Sequence, residues 1–302
     1  MSRDWESLFS SWAKPPGQTE QERCTNAESA IKKAIAASDQ LRGKDVRVFA
    51  QGSYRNNTNV RQDSDVDIAV VCYSTFFHEY PEGADDHTFG NFPSNYSYQT
   101  YKNDVEQALV QYFGRKSVTR GKKAFDIKEN TYRVEADASP FFEHRDYFAN
   151  GNYRSGVELR PDNDDYARVI NWPDQHYENG VQKNNDTGRG FKSIVRILKS
   201  LCNEMNEAKI IQARDVPSFL IESMVWNVPN DYFGKQTWYD EVRACLAFLY
   251  NNTRPYNDCL QTDCKDWVEV NAIKYLFHSS QKWTRQQAHN FIDATWNYIG
   301  LE

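Results

Sequence analysis

The fold of this chain is decided by two neighbouring stretches, Gln51–Arg55 (QGSYR) and Asp63–Val71 (DSDVDIAVV). The first stretch follows the apolar run Val46–Ala50, so we expect a strand that ends in a Gly-Ser turn. Glycine allows backbone conformations and close approaches that other residues resist, and the amides and hydroxyl of such a turn can cradle a phosphate. The pattern therefore predicts a phosphate-binding turn at Gln51, Gly52 and Ser53.

Two acidic residues, Asp65 and Asp67, open the second predicted strand. Side chains two residues apart point to the same face of a strand, so these carboxylates should lie side by side. They repel each other there, and binding a cation is the main reason for a strand to hold such a pair. Oxygen-only ligation suits Mg²⁺. An acidic loop leading into a strand is the alternative for Asp-x-Asp alone, but the preceding Gly-Ser turn favours a metal site.

A third carboxylate is expected near Tyr132–Pro140 (YRVEADASP), where we predict the end of another strand. Alternation along a strand puts Arg133, Glu135 and Asp137 on one face. Geometry alone therefore leaves Glu135 and Asp137 as rival candidates for the third acid of the site.

The composition is that of a soluble globular protein: 302 residues, 26% charged and 39% hydrophobic, which is long enough for two domains. No apolar run approaches the length of a membrane span, and the N-terminus lacks the apolar core of a signal peptide. We therefore expect a cytoplasmic protein with no membrane association. Six cysteines without Cys-x-x-Cys spacing indicate reduced thiols, with a Cys259–Cys264 disulfide as the less favoured alternative.

The net charge of −6 argues against a general nucleic-acid binder. One basic cluster opposes this trend, and it is interpreted as a solvated hairpin rather than a phosphate-facing patch. Its members are Arg115, Lys116, Arg120, Lys122, Lys123 and Lys128.

Hydrophobic periodicity predicts an α+β protein. A helix is expected from Thr19 to about Leu41, with strands near 45–51, 66–72, 124–128 and 131–137. Trp172–Gly180 is rich in turn-forming residues, so we place a domain boundary there, between residues 1–178 and 179–302. The second part is mainly helical, with predicted helices at Gly190–Met205, Pro217–Trp226, Tyr239–Tyr250 and Arg285–Tyr298, the last with Thr284 as its N-cap.

The Gly-Ser turn followed by Asp-Val-Asp is similar to the signature of the nucleotidyltransferase superfamily related to polymerase beta. The longer string Gln51–Ile68 resembles clade E of the bacterial cGAS/DncV-like nucleotidyltransferases (CD-NTases), and the resemblance continues to about Gly300. It implies a polymerase-beta-like core, a mixed sheet with a long spine helix, followed by a helical second lobe. It also favours Asp137 over Glu135, because the third acid of such enzymes closes a strand shortly before a proline.

The resemblance further implies the roles of the site residues. Asp65, Asp67 and Asp137 would hold two Mg²⁺ ions, with Mn²⁺ as a possible substitute, and Gly52 and Ser53 would hold the β- and γ-phosphates. A lysine and a serine of the second lobe would complete the nucleotide contacts, and the matching residues are Lys199 and Ser218. Two further residues are not expected to contact the nucleotide. Lys192 is expected to be a solvated neighbour of Lys199, and His176 is expected to have a structural role.

The implied activity is template-independent joining of two ribonucleoside triphosphates, UTP and ATP, into a cyclic dinucleotide. This product would act as an antiphage second messenger on a separately encoded effector, with no DNA activator. In such enzymes one asparagine is associated with pyrimidine acceptance. The best match in this sequence is Asn185, and Asn184 is the alternative if the match is shifted by one residue. An amide matches the donor and acceptor of uracil, although helix capping is the alternative role for either asparagine.

The predicted product is therefore cyclic UMP-AMP or cyclic di-UMP. Three alternatives remain open from the sequence: a cyclic dipurine synthase, a transferase that extends or caps RNA, and a catalytically silent nucleotide-binding module.

Overall fold

The computed structural model describes residues 3–60, 65–162, 167–254 and 264–301. Asp63, Ser64 and Cys259 lie outside these residues, so the Cys259–Cys264 alternative stays open. The chain divides into two units. The sheet unit comprises Gly17–Arg55 and Arg61–Pro173, and the helical unit comprises Met1–Pro16, Asn56–Val60 and Asp174–Glu302.

The helices of the described residues are numbered here in chain order. They are α1 (Trp5–Trp12), α2 (Gln18–Ala36), α3 (Gly52–Asn56), α4 (Asp86–Phe89), α5 (Tyr98–Phe113), α6 (Pro173–Asp186), α7 (Gly190–Glu207), α8 (Ser218–Trp226), α9 (Trp238–Thr253) and α10 (Arg285–Tyr298). Short 3-10 turns lie at Arg115–Ser117, Ile211–Ala213, Asn230–Tyr232 and Cys264–Asp266. None of the helices in the described ranges is both long and apolar enough to cross a membrane.

The sheet unit is built on a mixed sheet, in which β2 and β5 run parallel and the other neighbours run antiparallel. Its order is β1-β2-β5-β4-β3, and β6 pairs with both β5 and β7. The strands are β1 (Val46–Ala50), β2 (Val66–Glu79), β3 (Val118–Arg120), β4 (Phe125–Ile127), β5 (Ala136–Tyr147), β6 (Tyr153–Leu159) and β7 (Val169–Asn171). The α+β prediction with a mixed sheet and a long helix is confirmed.

Strand β2 forms the centre of the core of this unit, because its run Ile68–Cys72 is fully buried. Helix α2 packs Ala27, Ile31 and Ala34 into the same core at helical spacing, and α5 contributes Tyr101, among others. A strand buried on both faces reads as a continuous apolar run, which is why this segment was recognisable in the sequence.

The sequence prediction for the strand of the third acid was wrong in position. Asp137 lies at the start of β5 rather than at the end of a strand, and Pro140 lies within β5. Proline lacks an N–H and is normally excluded from central strands. Here β4 pairs with β5 only as far as Ala138 and β6 pairs only from Phe142. Pro140 falls in the gap between them, where its carbonyl accepts a hydrogen bond from the Tyr98 hydroxyl at 2.8 Å.

The domain boundary also differs from the expected division at residues 178 and 179. The sheet unit ends at Pro173, and α1 belongs to the helical unit instead of the sheet unit. The physical reason is the apolar face of α1, where Phe9 is fully buried in the core of the helical unit. The turn-rich stretch after Trp172 is in fact helix α6, which begins with proline at its first position, a favourable place for that residue.

Candidate active site

The predicted Gly-Ser turn is the start of α3, directly after β1, and it contacts β2 through backbone and side-chain atoms. The Gln51 amide donates to the Asp67 carbonyl at 2.8 Å. Gly52 follows with φ +64°, and a Cβ placed on it would lie 2.5 Å from Asp67 Oδ2. Such a distance is shorter than any real contact, so glycine is needed here for space as well as for its backbone angle. The turn therefore holds the Asp67 carboxylate directly against the backbone of Gly52, and Ser53 comes next in the chain.

We expect Gly52→Ala to lower both stability and activity, because the new methyl group meets the Asp67 carboxylate and because alanine disfavours positive φ. The backbone angle alone should cost about 1–2 kcal/mol. Gly43→Ala is the matched control, since Gly43 has φ +81° and an added Cβ there would meet no atom within 4 Å. Urea unfolding should show a larger loss for Gly52→Ala than for Gly43→Ala, and Asp67→Ala should remove the difference. If the larger loss persists in the Asp67→Ala background, the steric explanation is contradicted.

The acidic residues of this unit line up across three neighbouring strands. Asp67 of β2 is in register with Asp137 of β5, and Asp137 is in register with Asp126 of β4. Asp65 directly precedes β2. Glu135, the rival third acid, is exposed and lies just before β5. The register thus brings Asp67 and Asp137 together and adds Asp126, which the sequence interpretation missed because β4 was not used in searching for acids.

The electrostatics of these carboxylates indicate unbalanced negative charge. Asp67 as a whole is exposed, but its Oδ2 lies close to Gly52. Desolvation raises the pKa of Asp67, and the charge of Asp65 raises it further. Burial, followed by the charges of Asp126, Asp67 and Asp65, raises the pKa of Asp137 to about 7. Like charges held together disfavour ionisation until a cation balances them.

Carboxylate oxygens are the ligands that Mg²⁺ and Mn²⁺ prefer, so the donor chemistry of Asp65, Asp67 and Asp137 fits a divalent ion. In the part of the chain that the structure describes, no three acidic, histidine or cysteine side chains form a ready-made metal cluster. The assignment of a divalent ion to these aspartates therefore rests on the type of donor atom, the strand register and the uncompensated negative charge.

The helical unit contains the other predicted nucleotide contacts. Lys199 of α7 is buried, and its ammonium donates to the carbonyl and hydroxyl oxygens of Thr58 and to Glu222 Oε2, each at 3.2 Å. Ser218 is exposed at the first position of α8. The roles of Lys199 and Ser218 in nucleotide binding remain predictions.

Glu222 lies on α8 one turn after Ser218 and is the centre of a buried polar network that the sequence did not reveal. Its Oε1 pairs with His176 Nε2 at 2.9 Å, and its Oε2 accepts from the Thr58 hydroxyl at 2.9 Å and from Lys199. Burial opposes ionisation of Glu222, but the Lys199 charge and the bonds from His176 and Thr58 hold its pKa well below the usual range. His176 thus has the structural contact that was expected for it.

The two candidate asparagines have different environments in the last turn of α6. Asn184 Oδ1 accepts from the backbone N–H of Lys192 at 3.1 Å, which caps the first turn of α7. Asn185 is exposed. Helix capping therefore accounts for Asn184, whereas the role of Asn185 in base selection remains a prediction.

A Gly-Ser turn beside an Asp-x-Asp strand, with a third aspartate in register on the parallel neighbour, defines the protein as a nucleotidyltransferase. Two family models match it: the nucleotidyltransferase domain over residues 31–144 and the cGAS/DncV-like nucleotidyltransferase C-terminal helical domain over residues 178–300. The chain belongs to the cGAS/DncV-like nucleotidyltransferases, and within them to clade E, whose members are CdnE cyclic dinucleotide synthases.

Three similar proteins support this assignment. The cyclic dipyrimidine nucleotide synthases CdnE of Legionella pneumophila and Cecembia lonarensis are 42% and 39% identical to the chain, each comparison covering 99% of both chains. The structure of Rhodothermus marinus CdnE c-UMP-AMP synthase with Apcpp and Upnpp superposes with a TM-score of 0.86 at 27% identity, covering 98% of each chain.

Proposed function

We propose that the protein condenses two ribonucleoside triphosphates, at least one of them UTP, into cyclic UMP-AMP or cyclic di-UMP with release of pyrophosphate. The observation that carries this proposal is the register of Asp67 with Asp137 beside the Gly52 turn. The pyrimidine preference is supported by the names of the two relatives that match over almost the whole chain.

The reaction has two equivalent steps. Each step forms a bond between a ribose hydroxyl oxygen and the α-phosphorus of a triphosphate, breaks the bond from that phosphorus to the leaving pyrophosphate, and releases the hydroxyl proton. Asp65, Asp67 and Asp137 would hold two Mg²⁺ ions, or Mn²⁺. Divalent ions bound there supply charge neutralisation and activation of the attacking hydroxyl. Because phosphoryl transfer depends mainly on positioning and electrostatics, the protein contributes fixed carboxylates and phosphate contacts rather than a covalent step.

We assign different phosphate contacts to each of the two units. In the sheet unit, the Gln51–Ser53 turn offers amides and the Ser53 hydroxyl to the β- and γ-phosphates. In the helical unit, the Lys199 ammonium and the Ser218 hydroxyl are the proposed donors. A substrate without the β- and γ-phosphates would lose these contacts as well as the leaving group.

The decisive experiment incubates the protein with the four ribonucleoside triphosphates and Mg²⁺ or Mn²⁺, with each nucleotide labelled in turn at the α-phosphate. We expect labelled products that resist phosphatase, because a cyclic dinucleotide has no terminal phosphate. A product that appears only after RNA is added would identify an RNA-extending enzyme. Absence of pyrophosphate release under all these conditions would identify a silent binding module.

The alternative of an RNA-extending transferase requires a basic track, and its support in this structure is weak. Arg115 and Arg120 both pair with Glu106, at 2.7 and 2.6 Å, and Arg120 also pairs with Asp162 at 2.7 Å. These carboxylates neutralise the two arginines of the basic cluster. The cluster is therefore better interpreted as part of an ion-pair network on the sheet unit.

In the cell, the product would serve as an antiphage second messenger that activates a separately encoded effector, without a DNA activator. The net charge of −6 fits a protein that needs no nucleic acid to work. We propose that it acts in the cytoplasm, where ribonucleoside triphosphates are abundant.

Asn185→Ser should shift incorporation from uridine toward purine nucleotides, because the amide can both donate to and accept from uracil. Losing one such pair costs about 1–3 kcal/mol, enough for a roughly tenfold change in base preference. Products labelled with each α-³²P nucleotide give the measurement. Asn184→Ser is the control, and it should lower stability through loss of the α7 cap while leaving base choice intact. A shift with Asn184→Ser instead would move the assignment by one residue, and exclusive use of ATP and GTP by the unaltered protein would refute it.

A further inference from the structure

Helix α7 carries three cationic side chains along one face, spaced four and three residues apart: Lys192, Arg196 and Lys199. All three are buried, so the expectation that Lys192 is solvated was wrong. The reason is the position of α7 at the centre of the helical unit, where most of its residues from Gly190 to Cys202 are buried. Residues at this spacing share one helix face, which makes the three side chains neighbours.

Two of the three cations have oxygen partners within the helical unit. The Arg196 guanidinium donates to the carbonyls of Ala13 and Asn57, the latter at 2.6 Å. Lys199 donates to Thr58 and Glu222. Their charges are therefore offset by carbonyl dipoles and by a carboxylate, as buried charges require.

Lys192 is different. Only 8% of the residue is exposed, but its Nζ is not among the fully buried polar atoms, and within the described ranges of the chain this ammonium makes no hydrogen bond or ion pair. The ring of Tyr177 lies on the same side, with its centroid 5.8 Å from Nζ. Burial lowers the pKa of Lys192, while the charge of Glu222 opposes that shift. The apolar stem of Lys192 is therefore buried, while its ammonium is unpaired and open to an anion that reaches this side of α7.

The carboxylate nearest these cations, Glu222, is bound to other groups and makes no hydrogen bond with Lys192. Both oxygens of Glu222 are already engaged, one by His176 and the other by Thr58 and Lys199. The α7 face therefore carries more positive charge than the single carboxylate of Glu222 balances. An excess of this kind is suited to an anionic ligand with several oxygens, such as a polyphosphate.

We propose that Lys192 is a second phosphate-binding lysine of α7, which contacts the polyphosphate of the bound nucleoside triphosphate alongside Lys199. This inference rests on the proposed function for the identity of the nucleotide, but the anion site itself can be tested without turnover. The competing interpretation is a structural lysine whose methylene stem packs in the core and whose charge has no ligand.

Lys192→Met separates the two interpretations because methionine keeps an unbranched apolar stem and removes the charge. Without ligand, the melting temperature should stay the same or rise, since the deleted charge has no partner in the protein and the apolar stem is kept. Binding of inorganic tripolyphosphate and of a non-hydrolysable UTP analogue, measured by calorimetry, should weaken about ten- to a hundredfold, the range for a charge-assisted contact. Lys192→Arg should retain most of the affinity. Lys282→Met, at an exposed position of the same unit, should bind like the unaltered protein.

If Lys192→Met fails to fold, Lys192→Gln provides the same test with a polar side chain. Unchanged affinity of a folded Lys192 variant for both probes would overturn the inference, while cyclic product from the unaltered protein would still support the proposed function. If the unaltered protein makes no product but its tripolyphosphate affinity depends on Lys192, the proposed function fails and the anion site stands.

Discussion

The double substitution Asp65→Asn with Asp67→Asn is expected to abolish pyrophosphate release while the protein stays folded. Amide side chains keep the size of the carboxylates but cannot provide the negative charge that holds divalent ions. The unaltered pair is electrostatically unfavourable, because desolvation and then the charge of Asp65 raise the pKa of Asp67. We therefore expect the double variant to be as stable as the unaltered protein or slightly more so, and a coupled pyrophosphate assay with urea unfolding would measure both properties.

Two single variants sharpen this test. Asp137→Asn should also abolish turnover, whereas Glu135→Gln, at the exposed acidic position just before β5, should retain it. Loss of activity in Glu135→Gln with retention in Asp137→Asn would reverse the assignment of the third acid. Comparable pyrophosphate release by the double variant and the unaltered protein would remove the metal site from the proposal altogether.

The second large effect is on stability. Glu222→Gln should lower the free energy of unfolding by about 3 kcal/mol, because it leaves the buried Lys199 ammonium without its carboxylate partner. Glu178→Gln, on the exposed side of α6, is the matched control and should change stability by less than about 0.5 kcal/mol. Adding Lys199→Met to Glu222→Gln should recover part of the loss, because the unpaired charge is then gone. A double variant no more stable than Glu222→Gln alone would contradict this explanation.

The same pair gives a defined pH dependence. The pKa of Glu222 is lowered in the folded protein, so its contribution is fully present above the unfolded-state pKa of about 4.3 and is lost as the pH falls through the folded value. The stability difference between Glu222→Gln and the unaltered protein should therefore be largest at pH 7 and smaller at pH 3. A difference that is constant over this range would show that the charge of Glu222 is not responsible.

Much of the fold was predictable because the sequence patterns that specify it are local. The buried run in β2 is continuously apolar, and the Gly-Ser turn precedes it within the same short stretch. The last helix was predicted at its observed bounds, since Thr284 accepts from the Gln287 amide as an N-cap should. These predictions needed only periodicity and capping chemistry.

What could not be predicted depends on pairings between distant parts of the chain. The start of β5 at Ala136 is set by its register with β2 and β4 rather than by the local pattern, which favoured a strand ending near Asp137. Glu222 reads as an ordinary glutamate on an amphipathic helix until Thr58 and His176 are brought to it. Lys192 likewise reads as a surface lysine, because the residues that bury it come from other segments.

The contact between Gly52 and Asp67 also limits the order in which this lineage can change. As long as an aspartate occupies position 67, a side chain at position 52 displaces its carboxylate, so substitution of Gly52 is disfavoured. Once a small residue occupies position 67, this steric conflict disappears and only the backbone angle still favours glycine at position 52. Descendants that have lost catalysis should therefore lose the acid first and the glycine later, and a sequence that keeps Asp67 without Gly52 should be rare.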